Sequence, residues 1–138
     1  MQEKEELAVT EALSGRKILV VEDVPINLKI AAFLLENMGF VVTTAGNGAE
    51  AVEVFSRSAE GEYTAIFMDV MMPVLDGLEA TKIIRKMDRA DAARIPIVAV
   101  TADALEEERG TIVSAGMNGC LLKPLTAEAV NNEIMKYL

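Results

Sequence analysis

Residues Lys17-Ile18-Leu19-Val20-Val21-Glu22-Asp23 form a short apolar run that ends in two acidic residues. Because the apolar residues follow one another without alternation, the run predicts a strand buried on both faces, as strands of parallel sheets are. Pro25 then suits the first turn of a helix, and apolar residues recur at helical spacing until Gly39. These recurring residues are Ile26, Ile30, Phe33, Leu34 and Met38. The stretch therefore predicts a strand followed by a helix, the repeating unit of an α/β domain.

The alternation of strand and helix continues to the end of the chain. Further strands are predicted over residues 40–44, 63–68, 95–100 and 119–122, and helices after Asn47-Gly48, after Gly77 and from the cap Thr126. Residues 104–115 also have a helical pattern, but charged residues fill their middle, so we expect this helix to bury little and to move most easily. Strict alternation implies right-handed crossovers. The predicted fold is therefore a doubly wound α/β domain with a five-stranded parallel sheet and helices on both faces.

Composition indicates one acidic domain. The chain has 138 residues, 51% of them hydrophobic, and its 13 Lys and Arg against 22 Asp and Glu give a net charge of −9. We expect residues 15–138 to form the domain and residues 1–14 to be an N-terminal extension or the end of a linker helix. An acidic surface disfavours direct binding to nucleic acid or to anionic lipid, because both attract clustered Lys and Arg.

Targeting signals and redox-active residues are sparse. No apolar run approaches the roughly 20 residues that span a bilayer, and the opening MQEKEEL does not have the pattern of a signal peptide. We therefore expect a soluble, cytoplasmic protein without membrane contact. Cys120 is the only cysteine, which excludes an internal disulfide, and the sequence has no histidine to act as base, nucleophile or metal ligand. Carboxylates, hydroxyls and lysines must therefore carry any chemistry.

The notable polar residues all lie at the carboxyl ends of predicted strands. Glu22 and Asp23 follow the first strand, Asp69 the third, Thr101 the fourth and Lys123 the fifth. Sheets of this kind bind ligands at that edge. Three carboxylates that converge there would raise at least one pKa unless a cation lies between them. Oxygen ligands from carboxylates, a backbone carbonyl and water suit magnesium, so we expect Mg²⁺ at this edge.

The same residues predict phosphoryl chemistry. Asp69, held beside a metal ion, can attack a phosphoryl donor to form an aspartyl phosphate, and the Thr101 hydroxyl and the Lys123 ammonium would bind the phosphoryl oxygens. Such a transfer depends on positioning and charge stabilisation, so it needs no histidine in this chain. Taken singly, each residue has a simpler interpretation: Glu22-Asp23 could cap the next helix, Asp69 could be a loop carboxylate, and Lys123 could be solvated. Their joint position favours the functional interpretation.

With these motifs, residues 15–138 resemble the receiver domain of two-component response regulators. The matching features are Ile18-Leu19-Val20-Val21-Glu22-Asp23, Met68-Asp69-Val70-Met71-Met72-Pro73-Val74-Leu75-Asp76-Gly77, Thr101-Ala102 and Lys123-Pro124. The resemblance implies a flavodoxin-like sheet with strand order 2-1-3-4-5. It also implies that Glu22, Asp23, Asp69 and the backbone carbonyl of Met71 hold magnesium.

The resemblance further implies a partner and a switch. Asp69 would take its phosphoryl group from the histidine of a partner kinase or phosphotransfer protein, Thr101 would follow the phosphate, and Lys123 would pair with it. Thr101 would thereby remodel the surface formed by the fourth helix, the fifth strand and the fifth helix. Lys123-Pro124 would be a cis peptide that aims Lys123 inward, which gives Pro124 a structural role. Asn27 resembles the asparagine of receivers attached to hybrid histidine kinases, so the rest of a hybrid kinase chain is a further expected partner.

Cys120 departs from the receiver pattern, since many receivers carry Tyr or Phe three residues before the lysine. A small residue there favours a strand core position over a redox role. We therefore expect switching to proceed through Thr101 and the helix over 104–115, with a smaller structural response at Cys120. Met71 and Asp103 flank the site at positions that influence phosphate lifetime in the family.

Three other interpretations of the sequence compete with a phosphoacceptor. A pseudo-receiver would not need all five polar residues. A phosphatase or phosphotransferase would need an acid-base carboxylate two residues after Asp69, where the chain has Met71. A flavodoxin-like cofactor binder would need phosphate-binding groups in the first loop, which is acidic. We therefore expect a domain that assists only its own phosphorylation and dephosphorylation.

The start of the chain resembles a linker, and the chain stops after the last helix. Both features favour an excised or terminal receiver.

Overall fold

A computed structural model describes residues 14–102 and 106–137 of the chain. It contains a five-stranded sheet in the order β2-β1-β3-β4-β5, and every strand pair is parallel. The strands are β1 Lys17–Val21, β2 Val41–Ala45, β3 Tyr63–Asp69, β4 Ile97–Thr101 and β5 Gly119–Leu122. The predicted doubly wound sheet and its strand order are confirmed. The expected extension at residues 1–14 lies almost wholly outside the described residues.

Five helices connect and follow the strands. They are α1 Pro25–Asn37, α2 Gly48–Arg57, α3 Gly77–Arg85, α4 Glu106–Ala115 and α5 Ala127–Met135. Side-chain oxygens of Asn47, Asp76 and Thr126 accept hydrogen bonds from backbone N–H groups in the first turns of α2, α3 and α5. These caps stabilise the helix starts that the sequence predicts. Strand β4 begins later than predicted, at Ile97, because Pro96 has no N–H for the ladder.

The core is divided between the two faces of the sheet. Successive side chains of a strand point to opposite faces, so β1 places Leu19 and Val21 in one apolar cluster and Ile18 and Val20 in another. The first cluster lies under α2, α3 and α4, and the second lies under α1 and α5. Four of the five residues of β1 are buried, which confirms the predicted two-sided burial of this strand.

Helix α1 faces the core with only part of its apolar surface. Leu35 is fully buried, and Leu34 and Met38 pack against the cluster under α1 and α5. The exposed fractions of Ile26, Ile30 and Phe33 are 61%, 58% and 67%, so the recurring apolar residues do not form one buried stripe. The spacing of apolar residues does not identify the buried side of α1, because this helix has apolar residues around most of its circumference. Several different sets of residues therefore fit the helical period.

Few of the side chains described in helix α4, those from residue 110 onward, are buried, which agrees with the prediction. Ile112 and Ala115 are buried, but Val113 is exposed. The first residues of the predicted helix, 104 and 105, lie outside the described residues, and its movement stays a prediction. Within the described part of the chain, no helix combines the length and the apolar character needed to cross a membrane.

Candidate functional site

Three carboxylates meet at the carboxyl edge of the sheet. Glu22 and Asp23 directly follow β1, and Asp69 is the last residue of the neighbouring strand β3. One carboxylate oxygen from each of the three lies within 4.8 Å of the others. Glu22 and Asp69 are buried, whereas Asp23 is partly exposed. The structure therefore assembles the acidic cluster that the sequence predicts.

The acidic pair does not cap α1. The capping residue is Val24, whose side chain makes no hydrogen bond to the first turn of the helix. Glu22 instead accepts a hydrogen bond of 3.3 Å from the backbone N–H of Val24, just before the helix. Pro25 begins α1 and needs no N–H partner. Because the helix starts without Asp23, the capping interpretation does not account for the pair.

Lys123 bridges two of the three carboxylates. Its Nζ lies 2.8 Å from Glu22 Oε2 and 2.9 Å from Asp69 Oδ2. The backbone N–H of Lys123 donates to the Thr101 carbonyl at 2.9 Å, and the peptide bond to Pro124 is cis, as the resemblance implied. About a quarter of the lysine side chain is exposed, at 26%, so the alternative of a solvated Lys123 is wrong.

The three groups shift one another's protonation. Burial raises the pKa of Asp69, and Glu22 raises it further, although the hydrogen bond from Lys123 opposes both. Burial also acts to raise the pKa of Glu22, but hydrogen bonds with Lys123 and Asp69 outweigh it, so the pKa of Glu22 is lowered. Burial acts to lower the pKa of Lys123, and the two carboxylates reverse that effect and raise it. One ammonium therefore holds two carboxylates that compete for it.

This donor set fits a magnesium ion. All three clustered side chains offer oxygen, the ligand atom that small hard cations prefer. Ionised, the three carboxylates carry three negative charges against the single positive charge of Lys123. A divalent cation would compensate the remaining two charges in a site where burial makes uncompensated charge costly.

Met71 and Thr101 complete the surroundings of Asp69. The backbone N–H of Met71 donates to Asp69 Oδ1 at 3.1 Å, which orients the carboxylate from the loop that follows β3. The Met71 carbonyl as a metal ligand stays a prediction. Thr101 is buried at the end of β4, the strand next to β3. Asp103 lies outside the described residues.

Cys120 lies in β5 opposite Ala99 of β4. It is partly buried and packs against the apolar cluster under α2, α3 and α4. Its environment agrees with the prediction of a small residue in the strand core.

Two glycines hold the loop 70–76 that follows Asp69, and sequence reasoning did not assign them this role. Gly48 donates to the Leu75 carbonyl at 3.1 Å, and Gly77 donates to the Val70 carbonyl at the same distance. A Cβ at Gly48 would collide with the Leu75 carbonyl, and one at Gly77 with the Asp69 carbonyl. Gly48 and Gly77 each follow a residue that caps a helix, Asn47 and Asp76 respectively. These Asn-Gly and Asp-Gly pairs were the features of the sequence that could have indicated the role of the two glycines.

A pocket of about 280 Å³ adjoins the site on the α1 side. Glu22 and Lys123 form its border with the acidic cluster, and Asn27 contributes a further polar group. Its apolar lining comes from α1, β4 and the segment after Lys123, through Ile30, Ala31, Leu34, Val100, Pro124 and Leu125. The exposed residues of α1 therefore continue into a depression beside Asp69.

The fold and site together define an α/β domain with an acidic, lysine-bridged site at the carboxyl edge of its parallel sheet. The family model described as response regulator receiver domain matches residues 18–135, and the chain belongs to this family. It is 36% identical to the hybrid signal transduction histidine kinase I of Dictyostelium discoideum, over an alignment of 129 positions that covers 89% of this chain. The chain spans between 7% and 17% of the lengths of eight curated relatives that it matches.

Solved structures agree with this assignment. The receiver domain of sensor histidine kinase PA1611 from Pseudomonas aeruginosa PAO1, with magnesium in its active site cleft, matches with a TM-score of 0.80 and 37% identity over 90% of this chain and 98% of that one. The Saccharomyces cerevisiae complex of the histidine phosphotransfer protein Ypd1 with the receiver domain of Ssk1 matches with a TM-score of 0.77 and 31% identity, over 91% and 90% of the two chains.

Proposed function

We propose that this receiver domain takes a phosphoryl group from a histidine of a partner protein onto Asp69 in a magnesium-dependent reaction, and that it then changes its interaction surface. The observation that carries the proposal is the position of Lys123, whose ammonium lies within 2.9 Å of Asp69 Oδ2 and is also bound by Glu22. A phosphoryl group on Asp69 would bring its oxygens within reach of that ammonium.

The chain's own residues supply orientation and charge. The Met71 N–H and Lys123 each bind one oxygen of Asp69, so the carboxylate is fixed before a donor arrives. A new bond forms between an Asp69 oxygen and phosphorus as the bond from phosphorus to the donor's imidazole nitrogen breaks, and the electron pair leaves with that nitrogen. Lys123 then shifts from Asp69 to the phosphoryl oxygens while Glu22 retains it. Magnesium, held by Glu22, Asp23, Asp69 and the Met71 carbonyl, would neutralise charge on the phosphoryl oxygens.

The domain is proposed as a phosphoacceptor and not as an enzyme acting on other substrates. Aspartyl-phosphate hydrolases need an acid-base group two residues after the nucleophile, and that position holds Met71, with 76% of its surface exposed. The described site offers carboxylates and an ammonium in contact with each other, which suits charge stabilisation more than proton transfer.

The surface beside Asp69 suits a protein donor. Ile26, Ile30 and Phe33 expose apolar side chains along α1, and Ile30 also lines the pocket that borders Lys123. Clustered exposed apolar groups next to a reactive site favour a docked macromolecule. The expected donor is a histidine kinase or a histidine phosphotransfer protein, and the likeness to a hybrid kinase and to the receiver in the Ypd1 complex supports both.

Switching is proposed to begin at Thr101. Its position at the buried end of β4 suits a hydroxyl that moves toward a phosphoryl group on Asp69. Helix α4 follows β4, and few of its described side chains, those from residue 110 onward, are buried, so it would move at low cost. A cytoplasmic location is part of the proposal, because a sequence with a single cysteine needs no oxidising compartment to form an internal disulfide.

The experiment is intact-mass measurement after incubation with magnesium and acetyl phosphate. We expect a phosphoadduct on the native chain that is lost with chelator and lost in Asp69→Asn. Asp88→Asn, which changes an exposed aspartate after α3, is the matched control and should keep the adduct. No adduct on the native chain, or an adduct that survives in Asp69→Asn, would contradict the proposal, and the first result would favour a pseudo-receiver that binds partners without phosphorylation.

A further inference from the structure

Helix α1 carries an apolar stripe that the described residues leave uncovered. Ile26, Ile30 and Phe33 are spaced by four and three residues, so they lie along one face of the helix. Their exposed fractions lie between 58% and 67%, and the exposed Lys29 borders them. Contiguous exposed apolar side chains mark a contact surface, so the stripe calls for an occupant.

The described part of the chain begins beside the C-terminal end of this stripe. The Gly15 N–H donates to the Gly39 carbonyl at 2.8 Å, and Gly39 follows the residue that caps the end of α1. Ser14 lies against the same glycine, where a Cβ would be 3.5 Å from the Ser14 Cα. Residues 1–13 therefore join the described domain next to the end of α1.

Residues 1–13 are long enough to cover the stripe. Helix α1 also has 13 residues, and a helix of that length spans about 20 Å. To lie on the stripe, the segment must run parallel to α1 before the chain turns at Ser14 into β1, which runs in the opposite direction. Its covalent tether keeps the segment at a high local concentration beside α1, so weak contacts suffice to hold it there.

The composition of residues 1–13 complements this surface. Most of the segment consists of Glu, Ala, Leu and Lys, which favour helices. In a helix, Val9, Ala12 and Leu13 share one face, and Leu7 lies on the opposite side. The segment contains four glutamates and one lysine, so it is acidic, whereas the charged residue that borders the stripe is Lys29. An apolar face with acidic neighbours therefore matches the stripe in both respects.

We infer that residues 1–13 pack as a helix along α1 and cover its apolar stripe, as an autoinhibitory segment of this chain. Both helices rise equally per residue, so Val9 falls beside Phe33 and Glu5 falls beside Lys29. A donor protein that uses α1 must then displace the segment, a consequence that rests on the proposed function. The contact itself needs neither magnesium nor phosphoryl transfer.

The test is NMR of the full chain with labelled methyl groups and Phe rings, in which nuclear Overhauser cross-peaks report protons in contact. Val9→Asn removes the apolar group that faces Phe33. Leu7→Asn is the matched control, because it removes an apolar group from the opposite side of the same segment. Phe33→Asn is the reciprocal change on α1, and its control is Ile83→Asn, which changes an exposed isoleucine on α3.

In the native chain, we expect cross-peaks from the Val9 methyl groups to Ile30 and from the Leu13 methyl groups to the Phe33 ring. The cross-peaks between Leu13 and Phe33 should be lost in Val9→Asn and retained in Leu7→Asn. The cross-peaks between Val9 and Ile30 should be lost in Phe33→Asn and retained in Ile83→Asn.

Three results would overturn the inference. The first is the absence of cross-peaks between residues 1–13 and α1 in the native chain. The second is the same pattern of cross-peaks in Val9→Asn as in Leu7→Asn. The third is cross-peaks that join only differently labelled copies in a mixed sample, which would assign the stripe to a contact between two chains. No phosphoryl donor is present, so none of these results depends on whether Asp69 accepts a phosphoryl group.

Discussion

The guanidinium of Arg85 donates a hydrogen bond of 2.8 Å to the side-chain oxygen of Asn118, and this contact joins the end of α3 to the turn before β5. Arg85 also donates to the carbonyls of Gly116 and Ala92 at 3.0 and 2.9 Å. The Asn118 oxygen accepts a second bond from the N–H of Ile97, at the start of β4. One side chain at the end of α3 thus bonds both the loop before β4, at Ala92, and the segment between α4 and β5, at Gly116 and Asn118.

We predict that Arg85→Met lowers the free energy of unfolding by about 2 kcal/mol, because the carbonyls of Gly116 and Ala92 lose the guanidinium that donates to them. Urea unfolding followed by circular dichroism measures the change. The control Arg57→Met removes an exposed pair with Glu53 and should cost less than about 0.5 kcal/mol. Similar losses in the two variants would show that the Arg85 contacts add nothing.

Gly48→Ala should weaken magnesium binding although Gly48 touches no predicted ligand. The added Cβ meets the Leu75 carbonyl, so loop 70–76 must shift and carry Met71 with it. We expect magnesium affinity to fall about 10- to 100-fold, which is the range found when groups that orient metal ligands are substituted. Isothermal titration measures this. Gly110→Ala is the control because open space surrounds that position in α4, and unchanged affinity in both variants would refute the role of Gly48.

Lys123→Met should slow labelling by acetyl phosphate about 10- to 100-fold at saturating magnesium, because the phosphoryl oxygens lose a charge-assisted donor. Initial rates of adduct formation by mass spectrometry measure the effect. Lys86→Met changes an exposed lysine at the end of α3 and should label at the native rate. A native rate in Lys123→Met would remove Lys123 from the mechanism.

Asp91 should contribute stability that depends on pH. Its carboxylate accepts two hydrogen bonds from Arg89, at 2.6 and 2.9 Å, and this pairing lowers its pKa below the ordinary 3.8. A lowered pKa in the folded state gives stability that is fully present above pH 3.8 and is lost as pH falls through the folded-state pKa.

Asp91→Asn should therefore cost about 1–2 kcal/mol at pH 7 and less as the pH falls below the ordinary pKa. Urea unfolding at several pH values measures the difference between variant and native chain. Asp88→Asn, which changes an exposed aspartate in the same segment, is the control and measures the effect of losing an unpaired surface carboxylate on the free energy of unfolding. A difference that stays constant with pH would contradict the prediction.

Cys120 should respond weakly to phosphorylation. Position 120 has no large ring that could turn inward during the proposed movement of Thr101, so the amide chemical shift of Cys120 should change less than that of Thr101 when a beryllofluoride phosphate mimic binds. Two-dimensional NMR of the labelled chain measures both. Large ordered motion at Cys120 would overturn this expectation.

The sheet and the acidic site could be predicted because each rests on a local signal. Unbroken apolar runs identified the buried strands, and parallel strands bring the polar residues that end them to one edge, so Asp69 and Lys123 could be placed together although they are 54 positions apart. Helix starts could be predicted where Asn47 and Thr126 mark them. These inferences need no knowledge of tertiary packing.

Other features could not be predicted because they depend on how neighbouring elements meet. The inward side of α1 is set by packing, since Ile26 and Leu35 are equally apolar but only Leu35 is buried. The positive φ of Val74, 69°, lies in the loop that Gly48 and Gly77 hold from two different helices. The bond network of Arg85 joins segments that are up to 33 positions apart.

The division of the core by the sheet has a consequence for protein engineering. Substitutions beneath α1 and α5 alter one apolar cluster, and substitutions beneath α2, α3 and α4 alter the other, with the backbone of the sheet between them. Libraries that repack one side can therefore be built and selected without repacking the second. The donor surface proposed along α1 and the movement proposed for α4 become separately adjustable properties of one small domain.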